Sequence, residues 1–357
     1  MPADLSVVIC SLNGAAGVDR CLRALAAQKD VELQIIVVDD GSTDDTSDVA
    51  REHCVTVFRH EANLGASVAR NTGIRAATAP VVAFLDDDCE PEPEWARELL
   101  MAYSGGVIGV GGPLVPESSE SYLLGFLQRN NPLLPLEMNL AHSEKLLYRL
   151  YLYVLRQWAP EQPPDLREVY TLVGANMSFL RDVTAGIGFD ERFRFGAEDL
   201  DVCLQLRRGF PGGRLVVTPS AVVRHHFDPY LRDTLRRSRA YGRGCAMLYL
   251  KWPTMRPTIF PGPVLVGALL AASIFVPFLL VVAVLLPQLL YPAGLRLAVT
   301  SRRPGCLLDP YVRLAQETYA NIGYLQGLWR YRGFDSEPAA STAARLPQET
   351  TAARSLR

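Results

Sequence analysis

Val81-Val82-Ala83-Phe84-Leu85-Asp86-Asp87-Asp88 is an apolar run that stops abruptly at three acids. Its β-branched and aromatic residues read as a short buried strand, with the carboxylates standing where the strand ends. Carboxylates packed this closely repel one another. Either the loop is simply solvated or a divalent cation neutralises it. Ligands of an open parallel sheet gather at the carboxyl ends of strands, and an Asp-x-Asp there suits a hard cation shared with a diphosphate. Asp86, Asp88 and Glu90 also alternate as in an EF-hand loop. That reading fails downstream, where the required Gly and Glu positions hold Pro91 and Arg97.

Upstream, residues 5–10 form an apolar strand, Ser11-Leu12-Asn13-Gly14 turns out of it, and a helix over 18–27 places Cys21, Leu22 and Leu25 on one face. Residues 33–38 make a second strand ending in Asp39-Asp40-Gly41-Ser42-Thr43-Asp44-Asp45. Gly41 permits the turn and Ser42 is an N-cap. Residues 55–58 are a third strand, and Asn63-Leu64-Gly65 leads into a helix through Ala66, Ala69, Arg70 and Ala77. Downstream, Pro91 or Pro93 opens a helix carried by Trp95, Leu99 and Leu100, and 107–110 is another strand. Strands alternating with single helices predict an α/β fold with a doubly wound, largely parallel sheet. Asn13, Asp40 and Asp86 to Asp88 then share one edge. Asp39-Asp40 alone could be a capped turn, but a nucleotide crevice explains both acidic strand ends. This half has no Gly-x-Gly-x-x-Gly or P-loop, which weakens dinucleotide and ATPase readings.

Taken together, residues 5–13, Val37-Val38-Asp39-Asp40-Gly41-Ser42-Thr43-Asp44, Asn63-Leu64-Gly65, Ala69-Arg70-Asn71 and Phe84 to Asp88 resemble the successive motifs of family 2 glycosyltransferases. These are inverting sugar transferases of the GT-A fold, a Rossmann-like, mostly parallel mixed sheet. The resemblance implies a nucleotide side built from Cys10, Leu12, Asn13, Asp40, Asp86 and Asp87. Within it, Asp40 faces the base and Asp86 the ribose or sugar. It further implies that Asp88 holds a divalent metal, Mg²⁺ or Mn²⁺, that bridges the diphosphate of a nucleotide-sugar donor.

The family pattern resumes at residues 173–179, at 188–193 and at Gly196-Ala197-Glu198-Asp199-Leu200-Asp201-Val202-Cys203-Leu204. Glu198 and Asp199 open a helix, where the dipole keeps carboxylates ionised. A first-turn charge preference with salt bridges to Arg207 or Arg208 would give the same sequence. By the resemblance, Asp199 is the catalytic base and Glu198 orients it or binds acceptor. Short strands at 215–218 and 221–223 lead to His225-His226. His225 is a possible further metal ligand or diphosphate contact, and the two can equally be a satisfied surface pair.

A net charge of -2 gives no support to nucleic-acid binding. The seven cysteines have no metal-ligand or redox spacing and read as reduced thiols. The N-terminal residues show no signal peptide. From Phe260 the composition changes. Residues 264–286 are apolar for long enough to span a bilayer, and 289–299 form a second apolar stretch. Basic residues flank both ends, which favours a hairpin or re-entrant segment at the cytoplasmic face. Residues 309–331 place Tyr311, Leu314, Ala315, Thr318, Tyr319, Ile322, Leu325 and Trp329 on one face, for a membrane surface or for packing. Residues 146–158 read as a tyrosine-rich helix, 162–164 as a loop, and the tail from Ser336 as disordered.

The expected organisation is a catalytic domain over 1–230, with a nucleotide-binding half (1–112) and an acceptor-binding half (113–230). A basic linker helix (231–258), a membrane segment (259–300), an amphipathic helix (301–334) and the tail follow. The expected activity is inverting transfer of a sugar to a hydroxyl. Membrane anchoring makes a lipid-linked saccharide or cell-surface glycan precursor the natural acceptor. Three other readings compete. A processive polysaccharide synthase normally carries Gln-x-x-Arg-Trp well beyond the base, whereas Gln205-Leu206-Arg207-Arg208 ends in Gly209 on the base's own helix. A nucleotidyltransferase would not need the Glu-Asp helix. A non-catalytic, membrane-tethered binding module would neither hydrolyse nor transfer the donor.

Overall fold

The apolar runs at residues 5–11 and 81–86 lie side by side at the centre of the molecule. In a computed structural model, residues 3–117, 121–135, 137–138, 147, 150–151, 153–154, 165–194, 196–253, 259–300 and 302–334 are described. The strands are β1 (Leu5–Ser11), β2 (Leu33–Asp39), β3 (Thr56–Arg59), β4 (Val81–Asp86), β5 (Cys89–Pro91), β6 (Val107–Gly111), β7 (Leu114–Pro116), β8 (Arg167–Glu168), β9 (Asn176–Leu180), β10 (Arg214–Val217) and β11 (Val223–His225). Among the described residues, one sheet runs β3-β2-β1-β4-β9-β6-β10-β8, and a small ribbon runs β5-β11-β7. β1 is parallel to both β2 and β4, with Ser11 opposite Asp39 and Cys10 opposite Asp86. Leu5, Val7, Val8, Ile9 and Val81 to Leu85 are buried on both faces of the sheet. That double burial, about 1.5–3 kcal/mol for each large side chain, explains why the runs lack alternation.

β9 is antiparallel to both of its neighbours, β4 and β6. The chain therefore enters β9 from the edge where β1, β2 and β4 end, and residues 173–175 join that edge. The same pairing places segments before and after residue 112 in one sheet.

The helices are α1 (Ala15–Ala26), α2 (Thr46–Glu52), α3 (Ala66–Ala76), α4 (Trp95–Met101), α5 (Tyr122–Arg129), α6 (Arg181–Ala185), α7 (Glu198–Gly209), α8 (Leu231–Lys251), α9 (Pro261–Ala272), α10 (Phe278–Leu290), α11 (Pro292–Thr300) and α12 (Asp309–Arg330). Ser42 does not cap α2, which starts four residues later. Its Oγ instead accepts the Asn13 N–H at 2.8 Å, tying the first loop to the second.

The basic stretch expected as a linker is a docked helix. α8 and α12 pack so closely that a methyl on Gly242 would lie 2.1 Å from the Ala320 carbonyl oxygen, and one on Gly323 would lie 2.0 Å from that of Arg239. The face of α12 that packs is therefore not the apolar stripe. Gln316, Glu317, Gly323, Tyr324 and Gly327 are buried, while Leu325 is 61% and Trp329 72% exposed.

The apolar segment also departs from a continuous span. α9 ends at Ala272, and α10 begins only after Ser273 to Pro277. Among the described residues no single helix is long and apolar enough to cross a membrane; α10 and α11 pass together but are bent by 71°. Most of the tyrosine-rich stretch, the 162–164 loop and the tail lie outside the described residues.

Candidate active site

The parallel strands β1, β2 and β4 deliver their final residues to one edge, and the loops that follow are locked together. Asn13, in the left-handed region at φ 56°, accepts the Thr43 N–H at 2.7 Å through Oδ1. Leu12 is exposed on the rim. Asp39 accepts the Ser42 N–H at 2.7 Å and the Ser47 hydroxyl, so it builds the turn. Asp40 is buried. Its Oδ1 accepts Leu64 N–H (3.0 Å) and faces His60 Nδ1 (2.7 Å), and its Oδ2 accepts Gly65 N–H (2.7 Å). This draws the 63–65 loop over the second strand end. A carboxylate offers about four lone-pair sites, so Asp40 keeps roughly one for a ligand.

The three consecutive acids have different surroundings. Asp86 is the more open one, its side chain 38% exposed, with Oδ1 3.1 Å from Arg70 Nη2. Asp87 accepts the Ser11 hydroxyl, and a methyl on Gly14 would lie 1.9 Å from its Oδ2. Burial, then the charge of Asp86, pushes its carboxyl up to about 6. Asp87, expected on the nucleotide side, lies at that edge, where its carboxylate supports the first loop. Cys10, opposite Asp86, has its thiol pushed up to about 12 by burial and stays neutral.

Asp88 meets the histidine from the ribbon. β11 pairs with β5 so that His225 lies opposite Cys89, bringing His225 Nε2 within 3.3 Å of Asp88 Oδ1. Burial, followed by the charges of Asp86 and Asp87, raises the Asp88 carboxyl well above the usual range. Burial lowers His225 to about 4, so the ring is neutral near pH 7. Its Nδ1 is buried without a hydrogen-bond partner. A half-buried carboxylate crowded by like charges beside a neutral imidazole fits a divalent cation with oxygen and nitrogen ligands. Cys89 Sγ is close by, but its thiol donates to the Ala175 carbonyl and is held neutral by burial. His226 instead lies between Glu90 and Glu117, 2.7 Å from each.

Glu198 and Asp199 begin α7 as expected, preceded by Ala197 in the left-handed region. Asp199 Oδ2 accepts the Gly174 N–H at 3.0 Å, so the loop entering β9 aims the carboxylate. Burial, then the neighbouring Glu198 charge, pushes Asp199 up to about 6. The salt bridges offered as the alternative reading do not form among the described residues: Arg207 donates to the Tyr170 and Val169 carbonyls, and Arg208 stacks on Trp252.

Arg70 was not singled out as a site residue. Only 4% exposed, it donates to Glu198 Oε1 at 2.8 Å and to Asp86 Oδ1 at 3.1 Å, so it bridges the two acidic clusters. The Phe189 ring lies 5.6 Å below its guanidinium. The other oxygen of Glu198 is buried without a partner. α8 closes the group: a methyl on Gly244 would lie 2.3 Å from the Gly196 carbonyl oxygen, and Tyr241 stands within reach of the charges of Asp86, Glu198 and Asp199.

Asp201 was also missed, and it is not part of the site. Two residues after Asp199, it falls on the opposite side of α7, fully buried, bonded to Lys251 Nζ and Trp252 Nε1 at 2.8 Å each. Asp201→Ala should destabilise the fold by about 3–5 kcal/mol, the usual cost of breaking a buried pair. Denaturant unfolding of the purified chain measures it; a change below about 0.5 kcal/mol, typical of surface sites, would refute the role.

Comparison with known proteins gives a consistent picture. The family described as Glycosyl transferase family 2 matches residues 6–164, and the one described as Glycosyl transferase family group 2 matches residues 162–300. A pre-mycofactocin glycosyltransferase of Mycobacterium tuberculosis is 32% identical over 272 residues, 75% of this chain and 52% of that protein. Glycosyltransferase AglE of Haloferax volcanii is 34% identical over 116 residues, 30% of this chain and 38% of that protein. The chain thus spans about half the length, or less, of these curated relatives. A mannosyltransferase from Pyrobaculum calidifontis, solved in complex with GDP-Man and Mn²⁺, shares the fold: TM-score 0.52 at 17% identity, over 92% of this chain and 88% of that one.

Proposed function

The chain belongs to glycosyl transferase family 2, and from that premise we propose that it transfers a sugar from a nucleotide-diphosphate donor to an acceptor hydroxyl with inversion at the anomeric carbon. The observation that carries this reading is Arg70, which ties Asp86 on the donor edge to Glu198, the neighbour of Asp199 in the first turn of α7. One ion-pair network thereby joins a sugar-side acid to the residue that precedes the proposed base in α7.

In the proposed reaction Asp199 removes the acceptor hydroxyl proton as the acceptor oxygen attacks the anomeric carbon. The bond from that carbon to the diphosphate oxygen breaks on the opposite face, and one displacement inverts the centre. Asp88 and His225 would hold a divalent cation, which when bound supplies Lewis-acid stabilisation to the departing diphosphate. Asp86 and Arg70 orient the sugar side, and Glu198 positions Asp199. The acceptor, by this reading, is a lipid-linked saccharide at the cytoplasmic face of a membrane; the exposed apolar helices α9 and α10 support the membrane part.

A screen of nucleotide sugars with Mg²⁺ or Mn²⁺, scored for nucleoside diphosphate release and for product anomer by NMR, tests the proposal. Release with transfer and inversion is expected; a retained configuration, or no release with any donor, would overturn it. Because Asp199 works only when ionised, kcat/KM should fall about tenfold per pH unit below about 6 and be level above it. A profile flat down to pH 5 would remove Asp199 as the base.

A further inference from the structure

α9 and α10 are uncharged, and among the described residues little covers them. No Asp, Glu, Lys or Arg occurs between Arg256 and Arg296. Only Gly262 and Val266 of α9 and Ala283 and Pro287 of α10 are buried, and the two helices pack on each other. The turn between them carries the most exposed apolar residues of the pair, Ile274 at 79% and Phe275 at 85%, and Phe278, which opens α10, is 70% exposed. Polar anchoring lies away from the turn, at mid-α10, where the Tyr311 hydroxyl donates to the Val284 carbonyl at 3.0 Å, and at the opposite end. Phe260 N–H donates to Asn321 Oδ1 at 2.8 Å, Asn321 Nδ2 returns a bond to the Phe260 carbonyl at 2.9 Å, and the Tyr291 hydroxyl donates to Glu317 Oε2 at 2.7 Å. The hairpin thus has a fixed base on α12 and a free apolar tip.

Length decides what it can enter. With 12 and 13 residues the helices are about 18 and 20 Å long, against a hydrocarbon core of about 30 Å. Neither arm crosses; each reaches slightly beyond the depth of one leaflet. Near the base, Arg302 and Arg303 are exposed, a charge that suits anionic headgroups.

We propose that residues 261–290 insert as a hairpin into a single leaflet of an anionic bilayer, turning back at Ser273 to Pro277 without crossing. The inference rests on the membrane-bound part of the function proposed above and adds depth and sidedness to it.

The test uses the full chain added from detergent to preformed vesicles of phosphatidylcholine with or without phosphatidylglycerol. It should float with the vesicles, and more completely with the anionic lipid. In a Cys54→Ser background, Phe275→Cys should react with a membrane-impermeant maleimide from neither side, and Val299→Cys should react only from outside. Ile274→Glu with Phe275→Glu, at positions where the folded chain has little packing to lose, should weaken vesicle partition by on the order of 10²-fold. Flotation with Phe275→Cys labelled from the lumen, or with Val299→Cys labelled only from the lumen, would mean a crossing. Flotation with Phe275→Cys labelled readily from outside would leave binding to another surface. Either result overturns the hairpin insertion and spares the membrane reading. Failure to float, with a dimer by light scattering, would overturn both and assign the apolar face to a second copy of the chain.

Discussion

Asp199→Asn should lower transfer by something on the order of 10²–10⁴, the usual worth of a general base, while nucleotide binding stays within about threefold of the parent. Asn preserves size but cannot take the acceptor proton. It also keeps only one carbonyl oxygen, whereas Asp199 accepts two N–H groups, from Gly174 and Leu200. The loss of one such bond costs about 1 kcal/mol, so the melting temperature should shift by only a few degrees and is measured alongside activity. Nucleotide affinity should survive because the donor edge is built from the strand ends, not from α7. Glu198→Gln retains an acceptor for the Arg70 guanidinium and should cost less than Asp199→Asn. Parent-rate transfer by Asp199→Asn would require the base to be sought elsewhere, and lost nucleotide binding would mean that α7 shapes the donor site directly.

Asp88→Asn should remove the gain in nucleoside diphosphate affinity that Mg²⁺ or Mn²⁺ provides. An ionised carboxylate is a far better ligand for these cations than a neutral amide. The substitution also relieves like-charge crowding around Asp86 and Asp87, so the fold should be unharmed. His225→Gln should weaken the same metal-dependent increment in part, since it removes the ring whose Nε2 faces Asp88. Calorimetric titration of nucleoside diphosphate, with metal and with EDTA, separates the outcomes. A metal-dependent increment unchanged in Asp88→Asn would place the cation on other residues.

The sequence made the parallel core and its acidic edge legible because both are written as contiguous signals. A strand buried on both faces is an apolar run, and a strand end bearing ligands is a run that stops at carboxylates. Glu198-Asp199 was legible as the first turn of a helix. What escaped was decided by contacts distant along the chain. Arg70 resembles any surface helix arginine until Phe189, Asp86 and Glu198 enclose it. Asp87 could not be told from its neighbours, because which of three adjacent acids turns under Ser11 depends on the loop that follows β1. Asp201 could have been separated from Asp199 by helical spacing alone. The face by which α12 packs escaped for a different reason. Apolar periodicity marks what water rejects, whereas two backbones in near contact select glycine, so the packed face carried little hydrophobic signal.

The docking of α8 against α12 sets an order of events during synthesis. α8 closes over Gly196 and the acids, yet the helix that braces it is the last one described, about sixty residues later, or roughly 3–12 s of translation. During that interval the apolar hairpin leaves the ribosome while α8 still lacks its brace. The acidic edge would then acquire its closing helix only after the apolar hairpin has emerged.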